Sequence, residues 1–250
     1  MKRKYNWHPD LPDHRDYAFA PKAGITITDS TDLRPHMTPV EDQKSLGSCT
    51  ANAGVALVEY LDKLNDGHYH NYSRLFLYYN ERALRGETKV DSGAYIRDVC
   101  KALANQGVCT ETLWKYTLSQ FATKPSAKAY ADGAKRKALQ YMRVNQDSTS
   151  IRTALAQGLP VIFGFSVYDS FESAAVAKTG IVPMPGPNES LLGGHAVAIV
   201  GHDDKLSRYV VRNSWGTGWG MKGYFTMPYD YVHNGNLAED FWVLQKVNSL

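Results

Sequence analysis

Apolar residues recur at helical spacing through the first half of the chain. After Ser48 they fall on one helical face at Ala51, Val55, Val58 and Leu61. Ser48 is suited to the N-cap of this helix, and Gly67 to its C-terminal stop. Similar spacing predicts four further helices, at 73–85, 94–105, 124–141 and 148–157.

The second half of the chain is predicted to form strands. Runs rich in β-branched and aromatic residues occur at 161–167, 196–200, 209–212, 223–227 and 240–244. Because the predicted helices precede most of the strands, the order indicates an α+β protein with two segregated layers or lobes.

Residues 1–26 form a separate polar, proline-rich arm without helical or strand periodicity. We expect an extended path with turns at its Asp and Pro positions. The arm carries four aromatic side chains that favour packing against another surface: Tyr5, Trp7, Tyr17 and Phe19. The alternative is a loose leader, since chain termini are commonly poorly ordered.

Composition excludes several classes of protein. At 250 residues and 43% hydrophobic, the chain can build one large domain or two small ones. The 28 basic and 25 acidic residues give a net charge of +3, and no basic run favours nucleic acid or an anionic membrane. No stretch reaches the roughly 18 apolar residues of a membrane span.

The termini and cysteines bear on the compartment. The basic start is not followed by the apolar core of a cleavable secretory signal, so we expect a cytoplasmic protein or a signal-independent export route. Three cysteines do not make a disulfide scaffold. Cys100 and Cys109 could pair, but their surroundings favour two ordinary core residues.

Cys49 lies at the predicted start of the first long helix. Unpaired N–H groups and the positive end of the helix dipole favour a thiolate there. Nucleophilic catalysis also requires a basic partner. Without one, a cysteine at a helix start is more often a buried, inert side chain.

His195 and Asn213 can supply the rest of such a site. His195 follows two glycines at the mouth of an apolar strand, where an imidazole can exchange protons near neutral pH. Asn213 follows the strand 209–212, and its carbonyl oxygen can orient an imidazole. Trp215 and Trp219 can cover that hydrogen bond, although each alone could be ordinary core packing.

These local sequences resemble the papain-like cysteine peptidases. The resemblance rests on Asn-Ser-Trp-Gly-x-x-Trp-Gly from Asn213, on Gly-His-Ala-Val from Gly194, and on Gln43 six residues before Cys49. It runs from about Asp32 to the C-terminus. The short polar arm looks like those of bacterial members of the family.

The resemblance implies a papain-like two-lobe fold. A helical lobe would span about 37–135, and a β-barrel-like lobe about 136–250 together with 27–36. His195 and Asn213 would belong to the second lobe, so the active site would lie in the cleft between the lobes, a usual place for such sites.

The resemblance also implies individual roles. Gln43 would share the oxyanion hole with the backbone N–H of Cys49, and Trp215 would shield the His195–Asn213 bond. The backbone of Ser92 and Gly93 would pair with extended substrate. The substrate cleft would further be lined by three residues, Gly194, Ala196 and Tyr95.

The chain departs from the family at three places. Leu46 replaces a disulfide cysteine, which fits the scarcity of cysteine and a thiol-reducing compartment. Thr50 stands where tryptophan or tyrosine is usual. Spacing indicates an insertion near Pro183–Leu192, beside the cleft, where it could alter specificity.

The expected function is peptide-bond hydrolysis through a Cys49–His195 thiolate–imidazolium pair, without metal or organic cofactor. The expected partner is a polypeptide substrate, with no nucleic acid or membrane. Two alternatives stay open: an acyl transferase or amidase with the same triad, and a non-catalytic binding module. We also expect residues 1–26 to cross the cleft and inhibit the enzyme.

Overall fold

The structure is a computed structural model that describes residues 3–22 and 24–247. Its α-helices are α1 Cys49–Asp66, α2 Arg74–Ala83, α3 Ile96–Asn105, α4 Ala127–Gly133, α5 Ser148–Ala156, α6 Ala174–Thr179 and α7 Tyr229–His233. Three short 3-10 helices lie at Arg34–His36, Leu118–Gln120 and Asp169–Glu172. No helix within the described ranges is long and apolar enough to cross a membrane.

The predicted helix that starts at Cys49 is present as α1. Its C-terminus is capped by Gly67 in the left-handed region, at φ 79°, as its sequence suggested. Ser48 occupies the N-cap position, but its side chain makes no capping bond and contacts the hydroxyl of Tyr116 instead. Because α1 packs against both the other helices and the sheet, nearly all of its residues in the first three turns are buried.

Seven strands form one antiparallel sheet: β1 Ser30–Asp32, β2 Ala138–Arg143, β3 Val161–Tyr168, β4 Leu191–Asp203, β5 Arg208–Arg212, β6 Tyr224–Pro228 and β7 Ala238–Val247. The strand order is β2-β7-β3-β4-β5-β6, and β1 pairs with β4. The α+β, papain-like fold class is confirmed, but the sheet in the described part of the chain is open rather than a closed barrel.

The predicted helix at 124–141 is wrong over its second half. The structure has the short helix α4, which ends at Gly133, followed by β2. Gly133 lies so close to Gly107 that a Cβ on Gly107 would sit 2.1 Å from the Gly133 carbonyl oxygen. Beyond Gly133 the side chains alternate as in a strand, with Met142 and Val144 buried. Pairing with β7 satisfies the backbone of β2.

The arm packs on the body of the protein in two parts. Residues 3–8, which we call the plug, lie between the loop at 91–95 and the start of β4. Further along, residues 17–19 pair with Arg143 on β2, and Phe19 is buried. The alternative of a loose leader therefore does not describe these residues.

Five charged residues, which we call the clasp, hold the arm between the two parts: Asp10, Asp16, Arg97, Arg143 and Asp240. Arg97 on α3 binds both carboxylate oxygens of Asp16, at 2.9 and 2.6 Å. Asp10 is 8% exposed, and its carboxylate accepts from the Arg97 backbone N–H at 3.2 Å. The clasp thus connects the arm with α3, β2 and β7.

Candidate active site

Cys49 lies at the first residue of α1 and is fully buried. The backbone N–H groups of Ala196 on β4 and of Thr50 lower the pKa of its thiol, against the effect of burial. The register of β4 brings Ala196 to this position directly beside His195. The sheet and the helix N-terminus therefore place a thiol and an imidazole on adjoining elements.

His195 is held by Asn213, as the two motifs predicted. Nε2 of His195 lies 2.8 Å from Oδ1 of Asn213, and both residues are buried. The other ring nitrogen, Nδ1, is buried and has no hydrogen-bond partner among the described residues. Because Nε2 is engaged, Nδ1 is the nitrogen left to exchange a proton with a group at the Cys49 position.

An aromatic cluster covers the imidazole. Trp215 stacks on His195 with ring centroids 5.0 Å apart and an interplanar angle of 24°. Trp219 packs edge-on against Trp215 at 4.9 Å, and Phe171 lies 5.3 Å from Trp215. These rings keep water from the His195–Asn213 hydrogen bond, so the bond acts in an environment of low polarity.

Gln43 is buried, with 1% of its surface exposed, and the structure places it in a hydrogen-bond network beside the catalytic loop. Its Oε1 accepts from the hydroxyl of Ser214 at 2.6 Å, and its Nε2 donates to the Leu46 carbonyl at 2.9 Å. The Gln43 backbone N–H also donates to the Ser214 carbonyl at 2.9 Å. A side-chain amide has two N–H donors, so one remains for a substrate oxygen.

Burial disfavours charge on both members of the thiol–imidazole pair. It raises the pKa of Cys49 to about 12, although the Ala196 N–H opposes the effect. It lowers the pKa of His195 to about 4, against the opposing hydrogen bond from Asn213. Burial therefore favours the uncharged form of each group.

The plug occupies the main-chain positions at which extended substrate was expected. The Ala94 N–H donates to the Asn6 carbonyl at 3.2 Å, and the His8 N–H donates to the Ala94 carbonyl at 3.1 Å. Gly93 has φ 77°, and a Cβ there would lie 1.8 Å from the Asn6 carbonyl oxygen. Main-chain pairing therefore involves Ala94, one residue beyond the predicted Ser92 and Gly93.

Ser92 and Tyr95 also contact the plug. Nε2 of His8 lies 2.9 Å from the Ser92 carbonyl oxygen. The His8 ring packs on Tyr95 with centroids 5.4 Å apart. Both residues predicted on this side of the cleft thus line the path of the arm.

Trp7 fills a buried recess on the opposite side. The backbone N–H of Trp7 donates to the Gly194 carbonyl at 2.9 Å, and the Trp7 indole lies against Gly164 on β3. A Cβ on Gly164 would be 1.9 Å from the ring, so the recess depends on that glycine. Ala196, which was also predicted to line the cleft, is fully buried beneath this region.

The N-terminal end of the plug covers His195. Tyr5 meets both His195 and Trp215 edge-on, each with centroids 6.1 Å apart. The Arg3 guanidinium lies 3.8 Å from the centre of the Trp215 ring. These contacts contribute to the burial of His195, which, like Cys49, has no exposed surface.

The predicted insertion contributes to a cavity next to the plug. This cavity, of about 610 Å³, is bordered by plug residues together with Glu172, Leu191 and Leu192. A separate cavity of about 360 Å³ lies beside the clasp. Leu191 and Leu192 begin β4 and are 59% and 40% exposed. The segment 183–192 therefore ends next to the plug, at one edge of the covered cleft.

Sequence reasoning missed several residues that build the site. Ser214 fixes Gln43, Gly164 makes room for Trp7, and Tyr116 donates to the Gln43 carbonyl at 2.9 Å. Ser214 belongs to the recognised motif, and its hydroxyl was the available signal. Gly164 and Tyr116 lie far away in the chain, and nothing local distinguishes them.

The remaining cysteines and acidic residues form no second centre in the described part of the chain. Cys49, Cys100 and Cys109 are all free and buried, so the considered Cys100–Cys109 bridge is absent. No cluster of His, Cys, Asp or Glu among residues 3–22 and 24–247 has the makings of a metal site.

Known proteins resemble this chain in sequence. The family pattern of the papain family cysteine proteases matches residues 27–243. An uncharacterized peptidase C1-like protein of Acanthamoeba polyphaga mimivirus is 44% identical over 216 residues, which cover 82% of this chain and 69% of the relative. Chymopapain of Carica papaya is 31% identical over 221 residues, covering 86% and 58%.

Solved structures resemble it in fold. Xylellain, a cysteine protease from Xylella fastidiosa, superposes with a TM-score of 0.91 at 40% identity, covering 96% of this chain and 95% of xylellain. Digestive procathepsin L 3 of Tenebrio molitor superposes with a TM-score of 0.72 at 20% identity, covering 91% and 73%, which shows a shared fold. The chain belongs to the papain family of cysteine proteases and is a cysteine peptidase, a hydrolase.

Proposed function

We propose that this peptidase cuts peptide bonds with Cys49 as nucleophile, His195 as acid–base and Asn213 as the group that orients the histidine. The main support is the 2.8 Å bond from His195 Nε2 to Asn213, which leaves the buried Nδ1 without a partner. Cys49 begins α1, which packs against β4, the strand that carries His195.

The reaction follows from these positions. The sulfur, once its proton passes to His195, attacks the scissile carbonyl and forms a tetrahedral intermediate. The free N–H of Gln43 and the backbone N–H of Cys49 stabilise its oxyanion. His195 then protonates the leaving amine, which leaves a thioester on Cys49. Water that His195 deprotonates releases the acyl group and restores the thiol.

We further propose that substrate binds as an extended polypeptide along the path that the plug now follows. Ser92, Gly93 and Tyr95 would contact it on one side, and Gly194 and Ala196 on the other. Trp215 would lie at the leaving-group side. The support is that the plug is itself an extended chain, hydrogen-bonded to both Ala94 and Gly194.

Residues 1–26 are proposed to be an inhibitory arm, which makes the full chain a zymogen. Tyr5 of the plug lies against the His195 imidazole, and the burial of His195 and Cys49 favours their uncharged forms. Inhibition would thus have two causes, a blocked cleft and a neutral Cys–His pair. The remainder, 27–250, would be the peptidase, with lobes of about 37–135 and of about 136–250 plus 27–36.

The experiment is labelling with a thiol-directed peptide electrophile, followed by mass spectrometry of the three cysteine peptides. Trp7→Ala should loosen the plug and increase labelling at Cys49, and Cys49→Ala should abolish it. Tyr17→Ala is the matched control, because Tyr17 is 77% exposed in the same arm.

Three outcomes count against the proposal. Labelling of Cys100 or Cys109 as fast as Cys49 would remove the case for an activated thiol. Equal labelling of wild type and Trp7→Ala would remove the case for the plug. A released acyl group that goes to an added amine in preference to water would support a transferase instead. Shortening the plug is a sharper test than deleting residues 1–26, since the full deletion also removes clasp residues.

A further inference from the structure

Thr50, the residue directly after the nucleophile, is bonded to a carboxyl group in the protein interior. Its Oγ1 donates to Oε1 of Glu81 on α2 at 2.8 Å. Thr50 is fully buried and Glu81 is 1% exposed. The residue that departs from the family pattern therefore connects the first turn of α1, where Cys49 lies, with an ionisable group that the proposed mechanism does not use.

Among the described residues, the Glu81 carboxyl has one hydrogen-bond partner. Its Oε2 is buried and has none among the described residues. Of the charged neighbours, Asp98 pairs with Arg85, and the Arg82 guanidinium donates to main-chain carbonyls. Those carbonyls belong to Tyr78, Thr88, Val90 and Phe121.

A carboxylate with one hydrogen bond is costly in such a place. Burial therefore raises the pKa of Glu81 to about 8, although the Thr50 bond and the positive charge of Arg82 oppose it. Asp98, on the neighbouring helix α3, adds to the rise through its negative charge. Near neutral pH, Glu81 is mostly uncharged.

We propose that Glu81 is a positioning residue for Cys49, which holds Thr50 at the start of α1 when neutral and disfavours the thiolate when ionised. The inference rests on the proposed role of Cys49. Like charges in a poorly solvated region disfavour each other. Burial is the main reason that the pKa of Cys49 is raised, and the charge of Glu81 raises it further.

The consequence is a reactivity that depends on pH through Glu81. Below about pH 8 the carboxyl is neutral and leaves the positive helix N-terminus unopposed. Above it, the new negative charge makes the thiolate harder to form. By linkage, formation of the thiolate in turn raises the pKa of Glu81.

The test compares the full-length protein with its Glu81→Gln variant. The rate of Cys49 alkylation by iodoacetamide is followed by mass spectrometry across a pH series. Glutamine keeps the oxygen that accepts from Thr50 and removes the charge. We expect the ratio of variant to wild-type rates to be near one at neutral pH and to rise roughly three- to tenfold above pH 8. Taking a ratio cancels the opening of the plug, which both proteins share.

Two more variants separate this effect from a structural one. Thr50→Val removes the bond that favours the carboxylate, so the step in the alkylation profile should move to higher pH. Glu59→Gln is the matched control. Like Glu81, Glu59 is a buried carboxyl, but it lies on α1. It accepts from the Thr38 hydroxyl at 2.7 Å and from the Tyr72 N–H at 3.0 Å, and its pKa is raised to about 7. The ratio of the Glu59→Gln to the wild-type alkylation rate should be the same at every pH.

The outcomes separate this inference from the proposed function. If the ratio of the Glu81→Gln to the wild-type alkylation rate does not change with pH, the role of Glu81 is purely structural. That result overturns the inference, whatever the value of the ratio. The same step in Glu59→Gln overturns it as well. If Cys49 is alkylated no faster than Cys100 and Cys109, the proposed nucleophile fails first. Thermal melting shows whether each variant is folded.

Discussion

At the scale of residues, the site depends on side chains that position other side chains. Asn213 orients His195, and Ser214 fixes Gln43 through a 2.6 Å bond. A hydrogen bond between neutral groups contributes about 1 kcal/mol, and a buried partner that loses it costs more. Small losses of position at such groups reduce the rate of reaction because the oxyanion forms only in the transition state.

Ser214→Ala should therefore lower kcat about five- to tenfold and leave KM nearly unchanged. The loss of the Ser214 hydroxyl frees the Gln43 amide to rotate away from the oxyanion. Steady-state kinetics on a fluorogenic peptide, both proteins carrying Trp7→Ala to open the cleft, measure the effect. Ser119→Ala is the control, since Ser119 is exposed on the 3-10 helix at Leu118–Gln120. A raised KM with normal kcat would contradict this role.

Cys49, His195 and Asn213 could be singled out from the sequence because each lies within a short, specific motif. Gln43 was identified in the same way, by its spacing from Cys49. Gly164 and Tyr116 could not be, since they meet the site only through the tertiary fold. The burial of Cys49 and His195, which shifts both pKa values, was also unpredictable, because it depends on the tertiary fold.

At the scale of elements, local periodicity predicted α1, α2, α3, α5 and five of the strands within a few residues. It failed at β2, which is a strand only because β7 offers it a partner. Such non-local pairing is not encoded in the segment itself. The arm is a similar case: its extended form was predicted, but the clasp depends on distant residues such as Arg97 and Asp240.

The clasp makes docking of the arm depend on pH. Burial, and the charge of Asp240 after it, raise the pKa of Asp10 from 3.8 to about 7 in the docked arm. The docked arm therefore holds a proton more tightly than a free arm does. Docking is strongest below about pH 4 and weakens as the pH rises towards 7.

Asp10→Asn should remove much of this dependence, because the amide does not ionise. Hydrogen-exchange protection of the Trp7 and His8 amides, corrected for the intrinsic rate, reports docking from pH 4 to pH 8. Protection should decline with pH in wild type and stay flatter in the variant. Asp13→Asn should behave like wild type, because the Asp13 carboxylate accepts from Arg15 within the arm. Protection that increases with pH in wild type would contradict the assigned sign.

At the scale of the whole molecule, the arm has two separable tasks. The plug covers the cleft through contacts with Gly93, Gly194 and the rings of His195 and Trp215. The clasp joins α3 with β2 and β7 through Arg97 and Arg143. A loosened plug should therefore change activity with little change in overall stability, whereas a broken clasp should do the opposite and loosen the body of the protein.

Arg97→Ala tests the second task. The arginine side chain is 8% exposed, binds Asp16 through two bonds and donates to the Leu11 carbonyl at 2.7 Å. Its removal takes two hydrogen bonds from the poorly solvated Asp16 carboxylate and leaves it the Arg143 guanidinium at 3.5 Å, which costs about 2–4 kcal/mol. For a chain of this size, the midpoint of thermal unfolding should fall by roughly 4–12 °C.

Arg15→Ala is the matched control for this loss. It removes the same charge from the arm, but Arg15 is exposed and bonds only to its neighbour Asp13. Its thermal midpoint should stay within about 1 °C of wild type, because exposed ion pairs contribute little to stability. Equal midpoints for the two variants would mean that the clasp adds nothing to the fold. The arm would then be held by the plug alone, and Trp7→Ala should release all of residues 3–19 to rapid hydrogen exchange.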